Sequence, residues 1–279
     1  MRFAFYPFPF ILHPLMNRIP HTKENWYTTK QITDRIIAIA EWGHTEEVLA
    51  FLLIGDKEAA VIDTCCGFFS LREIIEQHND LPCKVINTHQ HFDHIGNNFE
   101  FDQVLMPDHP ANRRRAQEGL SAEFCAEFAT PEQFWGTVPA GLPEPYAIRP
   151  FPQATFFKDG DVLELDPFRL EVLHTPGHCA DHCCFFEREM GILFGGDNLY
   201  DGPIFIQKKD GLAQYRLSIE RLCSLENLQR ILPSHNGFDF PLGKLHQIRE
   251  ALAGIHTAEL EETVVVDGPM RLMPVPYAA

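Results

Sequence analysis

Between Thr88 and His94 the chain places three imidazoles and a carboxylate within six consecutive positions, His89-Gln90-His91-Phe92-Asp93-His94. The run follows directly on an apolar stretch, Lys84-Val85-Ile86-Asn87. Imidazole and carboxylate are ligands for zinc and other borderline first-row metals. In an extended chain positions 89 and 91 point the same way, whereas 93 and 94 reach that space only if the chain turns. The stretch is therefore predicted to be a strand that stops and opens into a metal-binding loop. A histidine-rich surface loop without a metal is disfavoured, because further ligand types recur downstream.

Composition sets the frame for that loop. The chain has 279 residues, 45% hydrophobic and 22% charged, enough to bury a sizeable core. Its 23 basic and 39 acidic residues give a formal charge of −16, a surface that repels phosphate backbones, so nucleic acid is not an expected partner. The one basic run, Arg113-Arg114-Arg115, reads as a solvated helix face. The eight cysteines include two adjacent pairs, Cys65-Cys66 and Cys183-Cys184, and no C-x-x-C. They read as small buried hydrophobes in a reducing compartment. Met1 to Met16 is apolar but interrupted by Pro7, Pro9 and Pro14, so it is not read as an export signal. No run approaches the ~18 apolar residues of a membrane span. The expectation is a cytoplasmic protein, with no membrane partner and an arm at residues 1–30 that packs on its own body or on a second subunit of a homodimer.

Apolar runs at 32–41 and 48–54, a turn at Gly55-Asp56-Lys57 and the run Ala59–Ile62 read as a β-meander. Asp63 ends that last strand, where a carboxylate needs a partner. Two readings stand open: an acceptor that orients a metal-bound histidine, or a cap for the helix after Gly67. Leu71, Ile74, Ile75 and His78 share a helix face. Residues 111–128 read as one helix and Pro131 as the start of another. With the Pro- and Gly-rich stretch that follows, they make an insertion at about 108–152. Its aromatics Phe124, Phe128, Phe134 and Trp135 either cover the site or belong to the ordinary core. Strands are expected at 155–157, 162–165, 168–174, 183–187, 192–195 and from Ile231, helices at 214–225 and 242–256, and edge strands in the tail at 264–266 and 270–273. Ligand-type residues recur in the turns, at Thr175-Pro176-Gly177-His178, Gly195-Gly196-Asp197 and Ser234-His235.

Taken together, His89-x-His91-x-Asp93-His94, then His178, Asp197 and His235 at gaps of 84, 19 and 38 residues, resemble the metallo-β-lactamase superfamily. The match covers roughly residues 30–260. The resemblance implies an α/β (α+β) fold, a four-layer αββα sandwich forming a single domain over 31–279 with metals at one sheet edge. It implies one divalent ion on His89, His91 and His178, a second on Asp93, His94 and His235, and Asp197 between them. Asp63 matches the buried aspartate that such proteins carry at the end of an early strand.

The resemblance further implies hydrolysis of an ester-like bond, a lactone or thioester of a small molecule, by water activated between two divalent ions. Zinc is the first expectation for those ions, with iron or manganese as alternatives. Asp93 is expected both to hold a metal and to manage the proton of that water. Tyr200, three residues after Asp197, resembles the tyrosine with which lactone-cleaving members bond the substrate carbonyl; it can equally pack against Pro203 and Phe205. Lys208-Lys209 is read as a solvated turn and not as a glutathione site, and β-lactam hydrolysis is a lesser expectation. Two alternatives stand beside the hydrolase: a mononuclear iron dioxygenase of the persulfide-oxidising type, and a sensor that keeps the metals without turnover. His174 and His182 are candidates to line the pocket. Cys179 is read as packing, and His13, His21, His44, His78, His109, His246 and His256 as surface or core residues.

Overall fold

A computed structural model describes residues 21–208 and 210–275. Most of the expected arm, together with Lys209, therefore lies outside the described residues.

Seven strands form the first sheet in sequence order: β1 (Tyr27–Thr33), β2 (Ile36–Glu41), β3 (Leu49–Ile54), β4 (Ala59–Ile62), β5 (Cys83–Ile86), β6 (Val104–Pro107) and β7 (Thr155–Phe157). The first four pair antiparallel, as short turns require, and β4 to β7 pair parallel across crossovers. The expected arm boundary at residue 30 falls inside β1, which pairs with β2 from Tyr27 onward. A second sheet contains β8 (Val162–Leu165), β9 (Phe168–His174), β10 (Cys183–Glu187), β11 (Ile192–Gly196) and, beyond the small strand β12 (Pro203–Gln207), β13 (Arg230–Pro233). Its spatial order is β13-β11-β10-β9-β8. The tail strands β14 (Val264–Asp267) and β15 (Met270–Val275) pair with each other, and β15 pairs with β12 in a third, three-stranded sheet.

Alternation along the strands decides the layers. In β2 and β3, Ile36, Ala38, Ala40, Leu49, Phe51 and Leu53 face Phe168, Leu170, Val172, Phe185 and Phe194 of the second sheet, making the central core. The intervening residues Ile37, Ile39, Ala50 and Leu52 face outward onto helical segments. Those segments are α1 (Arg72–Ile75), α2 (Phe92–Ile95), α3 (Pro110–Glu118) and α4 (Ala122–Cys125). The far face of the second sheet packs Leu173, Phe186, Leu193 and Ile231 on α5 (Gly211–Cys223) and α6 (Leu242–Ala253). Helix, sheet, sheet, helix is thus the layer order.

Two helices differ from expectation. The single helix expected over 111–128 is broken after Glu118: Gly119 has φ +67°, and a Cβ there would sit 2.0 Å from the Ile148 carbonyl oxygen, so the chain turns and pairs Leu120 with Ile148. Helix α1 is one turn long, not two. Its first amides, Leu71 and Arg72, donate to the Glu100 carboxylate at 3.1 and 3.0 Å, so Glu100 takes the capping place that was one reading of Asp63. The insertion packs its aromatics into the outer core, with Phe134 buried among Trp26, Phe68 and His44. Phe128 stacks on Phe92 of the ligand loop at 3.8 Å between ring centroids. No described helix is long and apolar enough to cross a membrane.

Candidate metal centre

Every residue of the expected ligand set stands where a strand ends on one edge of the sandwich. After β5 the chain runs through Thr88 to His89 and His91, and the single turn of α2 carries Asp93 and His94. His178 lies in the connection from β9 to β10, Asp197 directly follows β11, and His235 comes two residues after β13. Two sheets therefore contribute to one cluster, and ordinary loop variation at strand ends leaves its scaffold untouched.

The side chains converge in two groups around Asp197. On one side the His178 Nε2 lies 3.0 Å from the His91 Nδ1 and 3.3 Å from the Asp197 Oδ2, with the His89 Nε2 3.9 Å from that oxygen. On the other the Asp197 Oδ1 lies 3.1 Å from both the His94 Nε2 and the His235 Nε2, and the Asp93 Oδ2 stands 3.3 and 3.5 Å from those two nitrogens. Each side is a set of nitrogen and oxygen donors of the kind that binds a divalent ion.

The far side of these rings is tied down, which fixes which nitrogen faces the centre. His178 donates its Nδ1–H to the Phe205 carbonyl at 3.1 Å, and His235 donates its own to the Glu46 carbonyl at 2.7 Å. His94 Nδ1 meets the Asp63 Oδ2 at 2.8 Å. Asp63 also accepts from the Thr88 amide (2.8 Å) and hydroxyl (2.7 Å), and that hydroxyl oxygen lies 2.9 Å from His89 Nδ1. One buried carboxylate so orients His94 directly and His89 through Thr88. Asp63 holds this place at φ +60°, a left-handed conformation that Asp tolerates better than most side chains. The Nε2 atom of His89 is left buried with no hydrogen-bond partner, facing the Asp197 carboxylate at 3.9 Å, which is costly unless a cation occupies the space between them.

Electrostatics point the same way. Burial opposes charge on His235 and His94, yet Asp197 and Asp93 raise both, His235 to about 9 and His94 well above its usual range. Burial likewise opposes ionisation of Asp93, but the charge of His94 holds it down at about 2. His178, where burial dominates, falls to about 4, and burial with the neighbouring His94 pushes His89 far down. The two carboxylates thus set a negative field among buried imidazoles, a setting that favours cations.

Several residues round the cluster take places the sequence did not announce. His182 is buried and accepts the Asp197 amide on its Nε2 at 3.0 Å, so it positions that aspartate and does not line a pocket. Gly196 permits this approach: its φ is +53°, and a Cβ would lie 2.3 Å from that ring nitrogen. His174 is exposed and bonds the Ala180 carbonyl. Tyr200 is buried with its ring 5.0 Å from that of His235, and its hydroxyl donates to the Pro203 carbonyl. That bond fits the reading in which Tyr200 packs against Pro203. Arg115 turns inward from the basic run, donates to the Gly119 carbonyl at 2.9 Å and keeps its Nε buried without a partner. Cys179 Sγ joins the nitrogens of His89, His91 and His178 in one group of donors within 4.8 Å of one another. A histidine four residues beyond a ligand was the one sequence signal for His182; nothing local marked Glu46, whose role here is its backbone carbonyl.

Fold and cluster together define a metal-dependent hydrolase built on an αββα sandwich. Residues 45–236 match the family model of the metallo-β-lactamase superfamily, and the chain belongs to that superfamily. It is 29% identical over 232 residues to the acyl-coenzyme A thioesterase MBLAC2 of Homo sapiens, covering 75% of this chain and 81% of the relative. It is 34% identical over 150 residues to the hydroxyacylglutathione hydrolase GloC of Haemophilus influenzae, covering 53% of this chain and 65% of that one. Among solved structures, a β-lactamase domain protein from Burkholderia ambifaria is similar at a TM-score of 0.59 and 18% identity, over 86% of this chain and 76% of that chain. An archaeal metallo-β-lactamase superfamily protein from Sulfolobus tokodaii is similar at 0.58 and 15%, over 85% and 91%.

Proposed function

We propose that the chain hydrolyses a small-molecule thioester, with two divalent ions held at the cluster. The observation that carries the reading is the division of the donors around Asp197. His89, His91 and His178 gather on its Oδ2, and Asp93, His94 and His235 on its Oδ1. Divalent ions bound there would polarise an acyl carbonyl and make water a nucleophile near neutral pH. Asp197 would lie between the two ions and reduce their repulsion. Asp93, held ionised and within 3.5 Å of two imidazoles of its side, would orient the attacking water. His182 and Asp63 contribute by holding the ligands in position before substrate arrives.

Two features favour a thioester over a lactone. Both relatives named above are described as cleaving acyl–thiol bonds, one on coenzyme A and one on glutathione. The Tyr200 hydroxyl, which a lactone-type reading would turn towards the substrate carbonyl, is already donated to Pro203. A matched panel of acyl-coenzyme A, acylglutathione and lactone substrates tests this directly. Thioester turnover with close to two metal equivalents per chain is expected, and Asp93→Ala should abolish it. Lactone cleavage without thioester cleavage, or full turnover in Asp93→Ala, overturns the proposal.

A further inference from the structure

We infer that Cys179 is a fourth side-chain ligand on the His89, His91 and His178 side of the centre, and that it makes this side select a thiophilic ion, zinc before manganese or magnesium. The inference rests on the reading of the cluster as a metal centre and adds the identity of one ion to it.

Three observations support it. The thiol sulfur lies within 4.8 Å of a ligand nitrogen of each of the three histidines. Zinc–sulfur bonds of about 2.3 Å and zinc–nitrogen bonds of about 2.0–2.1 Å place the donors of one tetrahedral ion roughly 3.3–3.6 Å apart. Closing the group onto one ion takes up to about an ångström of movement or somewhat more, which rotation of the Cys179 side chain about χ1 can supply. Among the eight cysteines, all of them described and free, Cys179 alone joins such a group. It is also buried, at 3% exposure, with its thiol set between the Asp181 carboxylate and the three histidines. The other buried thiols stand apart: Cys65, Cys66 and Cys125 lie in the outer core, Cys183 in the central core and Cys184 in the core on the far face of the second sheet.

The chemistry is a ligand exchange without redox change. The S–H bond breaks, its proton passes to solvent, and the sulfur lone pair forms the bond to the ion. A coordinated thiol is deprotonated outright even where burial alone would keep it protonated. With one soft donor beside three imidazoles, this side differs from the other, whose donors are all nitrogen and oxygen. The centre is thereby asymmetric in metal preference.

Cobalt(II) reconstitution of the metal-free full-length protein tests the inference by spectroscopy, independently of turnover. An intense near-ultraviolet sulfur-to-cobalt charge-transfer band is expected, together with weaker visible d–d bands. In Cys179→Ser at equal cobalt content the charge-transfer band should vanish while the visible bands persist. Visible bands without a charge-transfer band in the unaltered protein, or a charge-transfer band that survives in Cys179→Ser, overturn the inference and leave the hydrolase reading standing. Failure to bind cobalt at all overturns both. Should the variant not fold, zinc-edge X-ray absorption of the unaltered protein decides the matter: a sulfur scatterer at about 2.3 Å is expected, and a shell of nitrogen and oxygen alone sinks the inference.

Discussion

At the scale of single residues, the centre depends on side chains that never meet a substrate. Asp63 is the clearest case, because its carboxylate orients His94 directly and His89 through the Thr88 hydroxyl. Asp63→Asn keeps the shape but loses an acceptor, and partners of metal-binding histidines typically carry about 10–100-fold in metal affinity. We expect a loss at the upper end of that range in a competitive chelator titration; an unchanged affinity would mean that the rings orient themselves. Tyr200→Phe makes the opposite prediction. Its hydroxyl serves a backbone carbonyl, so the variant should lose about 1 kcal/mol of stability while kcat stays within a few-fold on a thioester. A fall of a hundredfold or more in kcat with an unchanged melting temperature would return the phenol to the chemistry.

Among the elements, the loop between β2 and β3 links the ligand edge to the insertion. His44 in that loop is fully buried: its Nε2 faces the Phe128 carbonyl at 2.9 Å, and its Nδ1 accepts the Glu46 amide at 3.3 Å. Only the neutral ring serves both bonds, since a proton on Nδ1 would confront the Glu46 N–H. Burial therefore lowers His44 from 6.5 to about 4. A histidine lowered on folding contributes stability that is complete above the unfolded value and is lost as pH falls through the folded one. The melting temperature should accordingly decline between about pH 6.5 and 4, by a share worth up to about 3 kcal/mol. His44→Gln should flatten that part of the profile, and an equal decline in the variant would assign the acid sensitivity elsewhere.

The ligand motifs were legible at this scale because each is local to a strand end, and an apolar run followed by a polar donor is visible in sequence. The elements that orient those ligands were not. Strand β12 is five residues long and starts with a proline, and its partner β15 lies more than sixty positions away. Yet its Phe205 carbonyl fixes His178. The break at Gly119 was equally hidden, because the crowding that forces it comes from Ile148 in a separate segment. Periodicity sees a residue's neighbours in sequence, whereas these positions are decided by neighbours in space.

For the molecule as a whole, the charge stored in the centre couples metal binding to pH. Asp197 and Asp93 raise His235 to about 9 and His94 well above its ordinary value, so both imidazoles are expected to hold protons at neutral pH before metal binds. A divalent ion must displace them, and apparent affinity should rise with pH up to about 9. Calorimetric titration in buffers of different ionisation heat should show at least one proton released per metal bound at pH 7; release of none would mean that the imidazoles are already neutral. The layers were legible only through the resemblance to the superfamily and not through patterning, because β2 and β3 are apolar on both faces and show successive residues to opposite cores.

The ligand positions also divide the chain into two halves. His89, His91, Asp93 and His94 hang from the first sheet, and His178, Asp197 and His235 from the second. Neither half owns a complete site: each group of donors draws at least one member from across the seam. An ion seated there is a rivet through both leaves of the sandwich, and stripping it would let the leaves part first at this edge, well before either sheet frays on its own.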